Sequence, residues 1–219
     1  MTEGAGASVG DGRRGLFILV AGPSGAGKDT LIDAIRARRP DLSVTRRIIT
    51  RAAGSAGEDH SAVTLEDFER LEADGAFLMT WRAHGLAYAL PADVEEALAR
   101  GRGVIANLSR AAIAPARERF DPILVLLVTA PIEVLAQRLA ARGRETPAEI
   151  RARLARADQP APSGPEVVEI DNGGALGDAL AQALQAIEAA ETLAAAADRG
   201  DAAERPGQPP IGNRDRSLK

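Results

Sequence analysis

Short aliphatic runs alternate with stretches whose apolar residues return every three or four positions, and the alternation continues along most of the chain. Runs at 16–21, 104–107, 123–128 and 167–170 have the length and composition of buried strands. Residues 43–50 and 76–81 read as further strands, and 84–90 as a short connection or hairpin. Helical spacing occupies the intervals. At 29–39 the apolar positions are Leu31, Ile32 and Ile35, with Pro40 as the stop. Residues 65–74 form an amphipathic helix ended by Gly75, and 91–100 one with Pro91 at its start and Gly101 beyond its end. Residues 110–119 follow, with Pro115 confining the helix to its later part; then come 131–142 before Gly143, a very basic 149–157, and 175–197. Strands alternating with helices predict an α/β fold: a parallel sheet with helices on both faces. Residues 1–14, rich in Gly and small residues, predict a disordered leader. Residues 198–219, polar and rich in Pro and Gly, predict a disordered tail, so 15–197 is one domain.

Composition narrows the partners. A net charge of −4 argues against a general nucleic-acid binder, which would carry a basic balance. Without cysteine there is neither a disulfide framework nor a thiolate metal site. The apolar runs are too short to span a bilayer, and the first residues lack the basic start and apolar run of a signal peptide. A cytoplasmic protein with small-molecule substrates and no membrane or nucleic-acid partner is expected; a homodimer is compatible with the sequence, which does not determine oligomeric state. Only two of the 27 basic residues are lysine, Lys28 and Lys219. An internal lysine in a chain that otherwise writes positive charge as arginine marks a position that needs a compact ammonium.

That lysine closes the clearest motif. Gly22-Pro23-Ser24-Gly25-Ala26-Gly27-Lys28 matches the G-x-x-x-x-G-K of a phosphate-binding loop, between a predicted strand and a predicted helix. Glycines let the backbone curl so that successive N–H groups face phosphate oxygens. The following helix presents its positive end to the same anion, and Lys28 reaches the β- and γ-phosphates. The chemistry expected is phosphoryl transfer from ATP with Mg²⁺. The hydroxyl residue that usually follows the lysine is replaced by Asp29, with Thr30 next. A carboxylate is a hard ligand for Mg²⁺, so Asp29 is the first metal candidate and Thr30 the second; Asp29 as a simple complement to the helix dipole is the alternative.

With the loop in place, further segments resemble guanylate-kinase-like enzymes, and most closely the ribose 1,5-bisphosphate phosphokinase branch, over about residues 16–187. They are Gly22…Lys28-Asp29, Arg47-x-Ile49-Thr50-Arg51, Gly57-Glu58-x-His60, Trp81-x-Ala83-x-Gly85-Leu86-x-Tyr88, Asn107-x-Ser109-Arg110 and Arg138-Leu139-x-x-Arg142-Gly143-Arg144-Glu145. Ala89 after Tyr88 departs from the usual Tyr-Gly pair. The resemblance implies a P-loop NTPase fold with an acceptor-binding region at 43–90 and an Arg-rich lid at 142–156. It places Arg142 and Arg153 on the transferring phosphoryl group beside Lys28, and Arg138 and Asn172 on the nucleotide side, where Asp171-Asn172 is also readable as a simple turn. It places Arg51, Glu58, His60, Tyr88, Ser109 and Arg110 on the acceptor; each of Glu58, His60 and His84 is also readable as a solvated loop residue, Trp81 as core, Ser109 as a helix cap, and the Arg-rich lid as a solvated basic helix paired with Glu145 and Glu149.

The acceptor is the discriminating question. Where guanylate kinases carry a Glu that reads the guanine edge, this chain aligns Met79, and where a hydroxyl follows the Tyr-Gly pair it aligns Leu90. A site without those polar groups has little with which to select a purine, since strong discrimination comes from hydrogen bonds. No Asp stands out as a base, and none is needed if the acceptor is an ionised phosphate oxygen. The resemblance therefore implies conversion of ribose 1,5-bisphosphate and ATP to phosphoribosyl pyrophosphate and ADP. The rival readings are a guanylate kinase acting on GMP and a non-catalytic guanylate-kinase-like binding module.

Overall fold

The computed structural model describes residues 14–50, 60–83, 85–141, 143, 146–157 and 161–204. The first strand, β1 (Phe17–Ala21), is buried along its whole length. Alternation sends Phe17, Leu19 and Ala21 into one apolar cluster and Ile18 and Val20 into another on the opposite face. Helix α1 (Lys28–Arg38) follows and buries Leu31, Ile32 and Ile35. The segment 43–50 is not one strand. It divides at Arg46 into β2 (Ser43–Thr45) and β3 (Arg47–Ile49), which belong to different sheets.

Next come β4 (His60–Ala62), α2 (Leu65–Ala73), β5 (Phe77–Ala83) and β6 (Leu86–Pro91). Thr64 caps α2 by accepting from the Asp67 N–H at 3.0 Å. Pro91, expected to open a helix, instead ends β6, and α3 (Asp93–Ala99) starts two residues later. Strand β7 (Val104–Asn107) leads into a 3-10 turn (Arg110–Ala112) and α4 (Ile113–Arg119), with Pro115 within the first turn, which needs no N–H from it. The chain continues through β8 (Ile123–Thr129), α5 (Ile132–Ala141), α6 (Pro147–Ala157), β9 (Val167–Asp171) and α7 (Leu176–Glu204). Helix α7 passes the expected end at residue 197 by seven residues.

Strands β2, β7, β1, β8 and β9 form, in that order, a fully parallel five-stranded sheet. Helices α1 and α7 pack through Leu31, Ile35, Ala179, Ala183 and Ile187 on one face, and α3 and α4 through Val94, Leu98, Ile113 and Ala116 on the other. Each large aliphatic or aromatic side chain so buried contributes about 1.5–3 kcal/mol. A second sheet, ordered β4-β3-β6-β5, is mixed: β3 runs parallel to β4 and antiparallel to β6. Its inner face (Ile49, Met79, Trp81, Tyr88, Leu90) joins the same core as Phe17 and Leu19, and its outer face (Ala87, Ala89) packs on Phe68 of α2. Among the described residues no helix is long and apolar enough to cross a membrane.

Candidate active site

The loop between β1 and α1 is built from both sides. Gly22, at φ 146°, passes so close to β8 that a Cβ there would stand 2.1 Å from the Val128 carbonyl oxygen. Gly27, at φ 86° and ψ 25°, is in the left-handed conformation that launches α1, and a Cβ on it would strike Asn172 Nδ2 at 2.5 Å. Lys28 does not extend into solvent. Its ammonium curls back over the loop and donates to the carbonyls of Gly22 and Pro23, each at 3.0 Å. The unpaired N–H groups that every helix leaves at its first turn face the same concavity.

The other predicted nucleotide-side residues converge on this loop. Arg153 of α6 donates from Nη1 to Ser24 Oγ at 3.1 Å, so the predicted lid helix reaches the cradle. Arg138 of α5 lies beside Gly27: its Nη1 would be 3.9 Å from a Cβ there, and it is buried with no hydrogen-bond partner among the described residues. A buried guanidinium nitrogen lacking a partner is costly unless an anion supplies one, and a phosphate group bound at the loop would do so. Asn172, only 4% exposed, donates from Nδ2 to the Ala26 carbonyl at 2.7 Å and serves as a strut under the loop.

At the metal candidate, Asp29 Oδ1 accepts a short hydrogen bond from Asn107 Nδ2, and Thr30 is exposed on the next position of the helix. A carboxylate can only accept, so the amide nitrogen of Asn107 must face Asp29. That leaves Asn107 Oδ1 buried without a partner among the described residues. One carboxylate and one buried amide oxygen suit Mg²⁺, which keeps several waters and takes the rest of its shell from phosphates. Among the described residues no group of three or more His, Cys, Asp or Glu gathers as a metal cage.

On the acceptor side, Trp81 and Tyr88 are directly opposite across β5 and β6, their rings stacked at 5.3 Å and 10°. The Trp81 indole N–H donates to Ser109 Oγ at 2.9 Å, so Ser109 anchors the second sheet to the end of β7 instead of capping the turn that follows it. Met79 and Leu90 are also paired across β5 and β6, both buried on the Tyr88 face. Arg110 starts the 3-10 turn, half-buried. Arg51, Glu58, His84 and Arg142 lie outside the described residues, as does the side chain of His60, whose backbone pairs with Arg47. A cavity of about 710 Å³ opens on the opposite, α2-facing side of this sheet, lined by Thr50, Val63, Thr64, Arg82 and Ala87 among others. Leu86 and Gly85 also line it, and none of the phosphate-loop residues does.

One residue absent from the expected site set stands inside it. Arg47 places its guanidinium carbon 5.8 Å from the centre of the Tyr88 ring and donates from Nη1 to the Asn107 carbonyl at 3.1 Å. The signal for it was present in the sequence: Arg47 is two residues before the buried Ile49 and so shares its inward face.

The chain is similar to proteins of known family and fold. The family model described as an AAA domain matches residues 17–160. The ribose 1,5-bisphosphate phosphokinase PhnN of Rhizobium etli is 48% identical over 170 residues, covering 76% of this chain and 86% of that protein. A bifunctional ribose 1,5-bisphosphokinase-thymidine phosphorylase of Cupriavidus necator is 45% identical over 193 residues, 88% of this chain but 31% of that longer protein. Among solved structures, guanylate kinase from Anaplasma phagocytophilum aligns over 89% of this chain and 88% of its own, with a TM-score of 0.51 at 16% identity, a likeness of fold.

Proposed function

The chain belongs to the ribose 1,5-bisphosphate phosphokinase family, with an AAA domain on a guanylate-kinase-like P-loop fold, and from that premise we propose that it transfers the γ-phosphoryl group of ATP to ribose 1,5-bisphosphate. The products are 5-phosphoribosyl 1-diphosphate and ADP. An oxygen of the sugar's C1 phosphate attacks the γ-phosphorus, the bond from that phosphorus to the β,γ-bridging oxygen breaks, and ADP leaves with the electron pair. The attacking oxygen is already ionised near neutrality, so the site needs no general base. The work left to the protein is positioning and charge neutralisation.

Lys28, Arg138 and Arg153 supply positive charge from three elements around one loop. Asp29, with Asn107 behind it, is the group that would hold Mg²⁺, which when bound would supply positive charge against the nucleotide phosphates. Arg51, Glu58, His60, Tyr88, Ser109 and Arg110 remain the acceptor set and Arg142 a further lid residue. Ser109 acts at one remove, through Trp81.

The observation that carries the choice of acceptor is the Met79–Leu90 pair: the two positions of the second sheet at which a guanine-reading carboxylate and hydroxyl would stand hold buried apolar side chains. A base presented there would leave its hydrogen-bonding edge unpaired, at a cost of about 1–3 kcal/mol per group. The test is an acceptor panel with Mg·ATP, comparing ribose 1,5-bisphosphate, GMP, AMP and ribose 5-phosphate by ADP release and product identity. Phosphoribosyl diphosphate formed from ribose 1,5-bisphosphate alone is the expected result; turnover of GMP instead makes the protein a guanylate kinase.

A further inference from the structure

The donor half of the site is rich in cations, yet the reaction places a second phosphate against the first. Its oxygens repel those of the γ-phosphoryl group, and a cation on the acceptor side must offset that repulsion. Among the described residues of the second sheet, Arg82 is turned to the other face, where it pairs with Glu72 at 2.7 Å. Arg47 is differently placed. It is on β3 with its side chain on the inner face, half-buried, over the Tyr88 ring and against the Asn107 carbonyl.

The level of that contact matters. Asn107 ends β7 in register with Val20 of β1, two residues before Gly22 opens the phosphate loop, and its side chain holds Asp29. The Arg47 guanidinium is therefore at the join between the acceptor sheet and the phosphate loop. Resting on the proposed reaction, we propose that Arg47 grips the accepting phosphate of the sugar and holds it in line with the γ-phosphoryl group.

The chemistry favours an arginine here. A planar guanidinium can meet two phosphate oxygens at once, which an ammonium cannot. The Tyr88 ring and the Asn107 carbonyl hold its plane before substrate arrives, reducing the ordering cost of binding. The buried Met79, Trp81 and Leu90 nearby lower the local polarizability, so its charge is screened less than at the surface. Arg47 would also contribute to selectivity, since a cation among apolar neighbours rewards an acceptor that presents phosphate and no base.

The test uses Arg47→Met and Arg47→Gln in the full-length chain. Glutamine removes the charge but keeps a polar side chain that can hydrogen-bond locally, and its amide ends two bonds short of the Nη1 that contacts the Asn107 carbonyl, so the ATP KM and the melting temperature report any loss of the link between sheets. Steady-state kinetics give KM for ribose 1,5-bisphosphate and for ATP separately. Trp81, the single tryptophan and stacked on Tyr88, reports acceptor binding without turnover through its fluorescence. Both variants are expected to weaken acceptor KM and fluorescence-measured Kd by about 10- to 100-fold, the scale of one charge-assisted contact, with KM for ATP little changed. The proposal is overturned if Arg47→Gln binds acceptor within about threefold of the parent. It is equally overturned if acceptor and ATP weaken together with a fall in melting temperature, the signature of a strut. If Arg47→Met does not fold, Arg47→Gln decides alone. Failure of the parent enzyme to turn over ribose 1,5-bisphosphate would instead refute the proposed reaction, so the two failures are distinct.

Discussion

Adding one methyl group at Gly27 tests how the phosphate loop is held. Alanine at φ 86° and ψ 25° carries the left-handed penalty of about 1–2 kcal/mol. Its Cβ would also meet Asn172 Nδ2 at 2.5 Å, so the amide must move. That movement breaks the 2.7 Å hydrogen bond to the Ala26 carbonyl in a residue only 4% exposed. Leaving such a buried pair unsatisfied costs about 1–3 kcal/mol. Gly27→Ala should thus lose about 2–5 kcal/mol, and for a domain of this size each kcal/mol lowers Tm by about 2–4 °C. Thermal unfolding followed by circular dichroism should show a fall of about 4–20 °C. In an Asn172→Ala background the collision and the hydrogen bond are both gone, and Gly27→Ala should then cost only its backbone term, about 1–2 kcal/mol. A Tm within about 2 °C of the parent, or strict additivity of the two substitutions, would refute the account.

Arg153→Ala removes the lid contact to Ser24 without touching the core; kcat should fall by about 10²–10³, read by coupled ADP release, while Tm stays near the parent's. Asp29→Ala should raise the Mg²⁺ concentration needed for half-maximal activity by about tenfold or more, and Asn107→Ala should do so less; unchanged metal dependence in both would return Asp29 to the helix-dipole role. The Arg39 guanidinium holds the Asp41 carboxyl below its ordinary range, a stabilisation present above the unfolded aspartate pKa and lost as pH falls through the lower folded value. Because Asp41 is largely exposed, Asp41→Asn should cost at most about 1 kcal/mol near neutrality, with the difference from the parent vanishing in acid denaturation profiles.

The parts legible in the sequence are those whose cause is local. Glycine spacing, the preceding aliphatic run and the following amphipathic helix lie within a few residues of Lys28, and they place the loop correctly. Other features depend on partners far along the chain. The run 43–50 looks continuous, but Ser43–Thr45 pairs with β7 while Ile48 and Ile49 pair with β6, so the break at Arg46 is set by two different neighbours. Pro91 looked like a helix start because its missing N–H is tolerated there; it is also tolerated at a strand irregularity, and Pro91 pairs with Phe77 where the register of β5 and β6 shifts. The extension of α7 had a local signal. Alanines continue to Ala203, and Arg205 before Pro206 is where a helix is expected to stop, so composition alone gave the wrong end. The bonds from Asn107 to Asp29 and from Asn172 to Ala26 span 78 and 146 positions, and nothing near either residue announces them.

Those long-range bonds make Asn107 the joint of the site. Its side chain orients Asp29 on the donor side, and its carbonyl receives Arg47 from the acceptor side. The residue ends an interior parallel strand and is paired with Val20 of β1, so its backbone has little freedom. On the proposed reaction the two substrates would thereby be referred to one rigid point, which is what a transfer between two phosphates requires: the attacking and leaving oxygens must be aligned, and small errors of placement are costly. The second sheet can then change what it accepts by changing inward side chains, with Met79 and Leu90 making the wall apolar and Arg47 keeping one charge at its edge, while the alignment set by β7 and the phosphate loop is retained.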